Sequence, residues 1–364
     1  MLLKSIFYIT RKVSGLALLL GYGSLCVAAT LPPLPEAVSN NAVASVSTEN
    51  GDYLLSFMGL GPGKTYLDVH NKVWALNLKT ALPANSWQQK SPVPSSLPLK
   101  GRLASIAVGV KDKAYLFGGY TVAEDHSEVS SPDNFTYQLT SDAYTKIANT
   151  PVPVDDAIAL VYQERFIYLI SGWHNDGNVN LVQLYDIHRD SWQQASPFLG
   201  VPVFGHAGGI VDNMMLLCDG VKVQAREALR RTFVAEAACY MGIVDENNPG
   251  KIDWRKIKHP TSVARYRMAS AGIASSNEIV FFGGSDNPYN YNGIGYNGVP
   301  SEPGKQLWSY DLNTQKWLVS MRQKASMDHR GAVLVNVFEK DQLFTIGGMG
   351  AKRTSLSAVK VIYP

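Results

Sequence analysis

Leu116-Phe117-Gly118-Gly119, Val280-Phe281-Phe282-Gly283-Gly284 and Phe344-Thr345-Ile346-Gly347-Gly348 are three copies of one device, an apolar strand closed by a glycine pair. Weaker copies lie at Ser56-Phe57-Met58-Gly59, Leu169-Ile170-Ser171-Gly172 and Leu217-Cys218-Asp219-Gly220. After most of them come a Tyr-Asp pair and then a tryptophan, as in Tyr185-Asp186 with Trp192 and Tyr310-Asp311 with Trp317. Self-similarity with a period of about fifty residues predicts sheet units stacked round an axis, a β-propeller, because one unit cannot bury its faces alone.

Working outward, each unit is expected to hold four antiparallel strands, the glycine pair closing the second. In the unit 101–153 these fall at 104–108, 114–117, 134–137 and 144–147, with apolar or alternating patterns. The glycines permit positive φ where the chain leaves strand two. The tyrosines and tryptophans are expected to fill the wedges between units. Units follow at 41–94, 101–153, 154–200, 201–260 and 261–324, and an incomplete one begins at 325 and lacks a fourth strand. Thr30-Leu31-Pro32-Pro33-Leu34-Pro35 resembles the fourth-strand ends Ser91-Pro92-Val93-Pro94 and Asn149-Thr150-Pro151-Val152-Pro153. The expectation is an all-β, six-bladed propeller over 30–364, closed by an N-terminal strand, which leaves no free sheet edge at the closure.

Residues 1–29 read as a secretory signal peptide. Lys4, Arg11 and Lys12 flank an apolar core from Val13 to Leu20, and Val27-Ala28-Ala29 precede Thr30. An uncleaved anchor is the alternative, but the core falls short of the ~20 residues a span needs and holds glycines. Leu25 before Cys26 does not fit a lipoprotein site. The expected location is periplasmic or secreted, with no membrane span once the signal is removed. Cys218 and Cys239 then remain. An oxidising compartment permits a disulfide, but the loop between them is expected to set them out of register as buried thiols. Lys and Arg total 33 against 30 Asp and Glu, a net charge of +3. No basic run with interleaved aromatics occurs, which argues against nucleic acid. No metal-ligand spacing and no cofactor motif is expected.

The apolar–Gly-Gly, Tyr-Asp and Trp pattern resembles the kelch repeat along nearly all of the chain after the signal segment. Six such units behind a signal peptide, closed by an N-terminal strand, resemble the periplasmic N-acetylneuraminate epimerase (mutarotase) group. That resemblance implies a sugar-acid ligand and an isomerase activity. In the group, the blade-four loop between strands two and three supplies a glutamate and an arginine. Here the arginine falls on Arg226 and the glutamate position on Gly220, with Asp219 beside it. Galactose oxidase shares the propeller, but its copper site needs a Tyr-His pair that this chain lacks.

In a propeller the residues before each strand one and after each glycine pair converge on one channel mouth. Arg102, Asp155, Asp156, His206, Arg265, Arg267, Asp328, His329 and Arg330 fall in the first set; Tyr120, Trp173, His174, Asp219, Arg226, Asp286 and Asn287 fall in the second. Arginines, histidines, carboxylates and an aromatic floor suit a small anionic or sugar-like ligand, a sugar acid or a related carbohydrate. The candidate substrate contacts are Arg226, Arg267, Arg102, Trp173, His174, Asp286, Asn287 and Arg330. Asp219 and His206 are the candidates for proton transfer, since opening a sugar ring needs an acid and a base. The Tyr- and Asn-rich stretch 285–298 is read both as a sugar platform and as a self-packed loop over the mouth. Where the repeat gives up its first glycine, Ser171-Gly172 leads into Trp173-His174 and Asp219-Gly220 leads into Arg226, and a polar group is expected at the mouth. The alternative function is a non-catalytic kelch module that binds a protein or an envelope polymer through the same face.

Overall fold

The structure is a computed structural model that describes residues 31–79, 87–227, 231–337 and 340–363; the expected signal segment lies outside them. Blade one comprises Ala42–Thr48, Gly51–Leu60, Val69–Asn77 and Gln88–Lys90, and blade two Ile106–Val110, Lys113–Phe117, Asn134–Gln138 and Ala143–Ile147. Blade three holds Ile158–Tyr162, Phe166–Ile170, Val182–Asp186 and Ser191–Gln194, and blade four Ala207–Val211, Met214–Cys218, Cys239–Asp245 and Asn248–Ile257. Blade five is built from Ala269–Ile273, Glu278–Phe282, Gln306–Asp311 and Lys316–Met321. Blade six has three strands, Val333–Val337, Lys340–Ile346 and Val359–Tyr363. The first strand of each blade touches that of the next, and blade six returns to blade one, so six inner strands surround an axis.

The glycine pairs set this geometry through their dihedral angles. Gly118 and Gly119 have φ of 54° and 85°, and the degenerate pairs adopt the same left-handed conformation: Met58 55° and Gly59 121°, Ser171 54° and Gly172 102°, Asp219 69° and Gly220 98°. A Cβ on Gly118 would collide with the Val154 carbonyl of the next blade's linker, and one on Gly283 with that of Ser326. Glycine therefore lets the next blade approach. Where the first glycine is lost, the side chain bonds the same linker instead. The Ser171 hydroxyl donates to Val203 O at 2.8 Å, and the Asp219 carboxylate accepts from Arg265 N at 2.8 Å. The side chains of Ser171 and Asp219 themselves are thus spent on seating neighbouring blades.

The wedges are aromatic, and the indoles of Trp192 and Trp317 are bonded to the neighbouring blade. Tyr185 and Trp192 pack against Phe117 of the preceding blade, and Trp192 Nε1 donates to Ala148 O at 2.9 Å. Trp317 likewise donates to Lys258 O at 2.8 Å. The N-terminal segment closes the ring: Leu34 N donates to Ser357 O at 2.7 Å and Val38 N to Leu356 O at 3.1 Å. Leu34 and Val38 are buried with Val43 and Leu54 of blade one and Val333 and Phe344 of blade six. Cys218 and Cys239 stand directly opposite one another on paired strands and are joined by a disulfide. The expected offset does not arise, because the intervening loop folds as its own hairpin, Val221–Gln224 on Thr232–Ala235, and returns the chain in register.

Candidate functional site

Ahead of each inner strand one residue bridges the position that follows a glycine pair: Ser39 with Leu60, Leu103 with Tyr120, Asp155 with Trp173, Phe204 with Val221, Tyr266 with Ser285, and Met327 with Met349. The residue after each is left-handed: Asn40 60°, Ala104 51°, Asp156 48°, Gly205 62°, Arg267 58° and Asp328 66°. Side chains other than glycine pay for this conformation, and here it recurs at one level of all six blades. These residues link into a girdle round the axis. Asp156 N donates to Ala104 O at 3.1 Å, Gly205 N to Asp156 O at 2.8 Å and Arg267 N to Gly205 O at 2.8 Å, while Ala104 N donates to the Asn40 side chain at 2.6 Å.

The girdle holds a buried charged layer. Arg267 donates to both oxygens of Asp156, from Nε at 3.2 Å and also from NH2, and to Asp328 Oδ1 at 3.1 Å. Arg330 lies 3.1 Å from Asp156 and 3.5 Å from Asp328, and donates to Asn40 Oδ1 at 2.6 Å. None of these four charged side chains is more than 2% exposed. The rings of Tyr266 and Tyr289 lie 4.7 and 5.3 Å from the Arg267 guanidinium carbon. Burial pushes the Asp156 carboxyl upward, but Arg267 and Arg330 outweigh it and hold it below the usual carboxylate range. Its neighbour Asp155 is driven well above that range by burial and by Asp156, and accepts a bond from the Ser130 hydroxyl at 2.8 Å.

On one side of this layer runs the central channel, about 280 Å³, walled by the six inner strands and reaching Asp156, His206, His329 and Arg330. Burial pushes His206 down to about 4 against the opposing pull of Asp156. His329 is pushed down to about 3, by burial first and then by Lys360 and Arg330. The unfolded chain therefore binds protons that the folded chain refuses. The stability that His206 contributes is present in full above pH 6.5 and is lost as the pH falls through about 4. Wild type is accordingly expected to lose stability relative to His206→Gln as urea unfolding is repeated from pH 7 down to pH 4. A pH-independent difference would contradict this.

On the other side the layer is roofed. Tyr120, Phe204, Tyr266, Tyr289, Tyr291 and Met327 are buried together, with Trp173, Phe233 and Tyr296 packed on them. The stretch 285–298 is a self-bonded cover: Tyr296 N donates to Pro288 O, and Tyr289 is fully buried. The blade-four hairpin meets it, Phe233 stacking on Tyr296 at 4.2 Å and Arg231 lying 4.9 Å over Trp173.

The structure brings Arg267 and Arg330 into the charged layer, sets His206 in the channel and Trp173 in the roof, and leaves Arg226 exposed on the blade-four hairpin. The other expected residues do not join them. Arg102 is buried inside blade two, where NH1 donates to Gly118 O at 2.9 Å and Asp133 O at 3.2 Å. Asp219 is fully enclosed and bonded to His259 Nε2 at 2.7 Å; burial raises its carboxyl to about 6 against those bonds. His174 Nδ1 sits 2.6 Å from Pro153 O, Asp286 is exposed 3.7 Å from Arg265, and Asn287 bonds Asn297 and Val299 within its own loop. Sequence reasoning missed Glu128, Arg231 and Phe233. Glu128 lies on a hairpin, Tyr120–Val122 on Glu128–Ser130. Its signal was present in two short β-prone runs, Tyr120-Thr121-Val122 and Glu128-Val129-Ser130, separated by a polar turn.

Six blades, glycine-paired second strands and Tyr–Trp wedges make the chain a kelch-type β-propeller. It is similar to the human (Homo sapiens) Kelch domain-containing protein 3, at 23% identity over 233 residues, 60% of this chain and 56% of that protein. The chain thus spans little more than half the length of that relative. It also resembles N-acetylneuraminate epimerase of Salmonella typhi, at 23% identity over 382 residues, 91% of this chain and 89% of that enzyme. The solved structure of YjhT shares the fold, with a TM-score of 0.69 and 14% identity over 92% of this chain and 97% of that one. No family model matches the sequence.

Proposed function

We propose that this chain is an exported propeller that binds an acidic sugar of the N-acetylneuraminate kind on its roofed face and speeds exchange between the sugar's anomers. One observation supports the reading: the blade-four hairpin, whose turn carries the exposed Arg226, lays Arg231 4.9 Å over Trp173, next to Phe233 and Tyr296. A guanidinium fork grips a carboxylate through two parallel bonds, and flat rings receive the apolar face of a sugar. The buried layer does not compete for that carboxylate, because Arg267 and Arg330 are neutralised by Asp156 and Asp328. Likeness to the epimerase along nearly the whole chain supports the same ligand class. Anomer exchange breaks and re-forms the ring C–O bond with proton transfers and no net oxidation, chemistry that acid and base groups supply.

Saturation-transfer NMR with N-acetylneuraminate and neutral sugars tests the binding, and the α–β exchange rate tests the activity. Arg226→Ala is expected to weaken binding of the acidic sugar about 10- to 100-fold, the worth of a charge-assisted hydrogen bond, with an unchanged melting midpoint. Equal binding by the variant would move the site elsewhere, and no binding of any sugar at millimolar concentration would defeat the reading. A non-catalytic module for a protein partner is the second reading. It is favoured by Leu67, Val129, Val234 and Val299, aliphatic side chains exposed on the connections between second and third strands.

A further inference from the structure

We infer that Glu128, on the blade-two hairpin, is the general acid–base of this exchange, an inference that rests on the sugar-acid reading above. The family's glutamate position falls on Gly220. Of the two groups the sequence offered for proton transfer, one is engaged by a partner and the other faces away from the roof. Asp219 is enclosed and bonded to His259, and His206 faces the channel beyond the charged layer. Glu128 is an exposed carboxylate of the roofed face, with no ion pair or hydrogen bond among the described residues.

Its position is nonetheless fixed. Two residues on, Ser130 accepts through its hydroxyl from Asn175 N at 3.2 Å, donates through its own N–H to Asn175 Oδ1 at 3.1 Å, and donates its hydroxyl to Asp155. Two residues before, His126 Nδ1 lies 3.2 Å from the Tyr291 hydroxyl of blade five. The hairpin that carries the carboxylate is therefore fixed on both sides of it. The groups that bear on it are Tyr120 of its own hairpin, Asp155 and Asp156 of blade three, Arg267 of blade five, and Tyr291 and Tyr296 of the cover. Water reaches the side chain, and desolvation by the nearby cover raises its carboxyl to about 7; Arg267 opposes that shift and Asp156 adds to it. A carboxyl poised there both takes and returns protons at neutral pH.

The step balances within the sugar and solvent. Glu128 takes the proton of the anomeric hydroxyl as its O–H bond breaks; the carbonyl forms, the ring C–O bond breaks, and the ring oxygen receives a proton from water. Reclosure on the other face of the carbonyl reverses these transfers, so no electron and no net proton is consumed.

The test uses the full chain with N-acetylneuraminate. Binding is followed by saturation transfer, α–β exchange by exchange spectroscopy, and folding by melting midpoint, in wild type, Glu128→Gln and Glu128→Asp. Glu128→Gln is expected to bind like wild type and to lose about 10²- to 10⁴-fold of the acceleration, with Glu128→Asp intermediate. The wild-type rate should carry an inflection near pH 7 that Glu128→Gln lacks. If Glu128→Gln binds and accelerates like wild type, the inference fails and the sugar-acid reading stands. If Glu128→Gln folds but no longer binds, Glu128 is a binding group and the inference fails. If wild type neither binds nor accelerates, the functional reading fails first and this inference with it.

Discussion

Arg267→Leu is expected to cost about 3–5 kcal/mol of folding stability, the range for breaking a buried ion pair by removing one partner. Arg267 draws together Asp156 of blade three and Asp328 of blade six, and its own side chain is 2% exposed. Without it, two enclosed carboxylates share Arg330 alone, and Tyr266 and Tyr289 lose the cation that their ring faces attract. Arg267→Lys should recover only part of the loss, because an ammonium cannot fork across both carboxylates. Asp286→Ala, at an exposed pair, should stay within about 0.5 kcal/mol. Urea unfolding at pH 7 decides between these, and a loss below about 1 kcal/mol for Arg267→Leu would show that the layer does not hold the ring. Replacing the whole charged set by apolar residues of matching volume is a different experiment, and is expected to be far milder.

The second large effect belongs to the disulfide. Cys218→Ala with Cys239→Ala is expected to lower stability by about 3 kcal/mol, from the chain entropy that a bridge closing a 21-residue separation removes from the unfolded state. The bridge closes the base of the insert that carries Arg226, Arg231 and Phe233, with Asp219 and Gly220 both at positive φ just inside it. Amides of Val221–Gln224 and Thr232–Ala235 should therefore exchange faster in the variant than the same blade's inner strand. Guanidinium unfolding with and without reductant gives the check. Wild type under reduction should approach the variant, and coincident curves for oxidised wild type and the variant would contradict the bridge.

Much of the architecture was legible because its determinants are local. Each glycine pair marks a strand end by a dihedral requirement met within two residues, and each Tyr–Trp pair sits on neighbouring strands of one blade. The site was less legible. Arg267 and Arg330 were found by position before an inner strand, but nothing in the sequence said that Asp156 and Asp328 would neutralise them. Asp219 reads as a base until His259 and Arg265 are brought to it, and Glu128 reads as one more surface acid until the fold brings Arg267 and Asp156 within its field.

By itself, then, the sequence determined six blades, their order and the closure by the chain's own N-terminal segment, since φ preferences and apolar periodicity act over a few residues. Only the tertiary structure decided which polar groups are spent on the scaffold and which stay free for chemistry. The partners across the axis lie far apart in the chain, Arg267 and Asp156 by 111 positions, and the desolvation that sets their charge exists only once all six blades have closed around them.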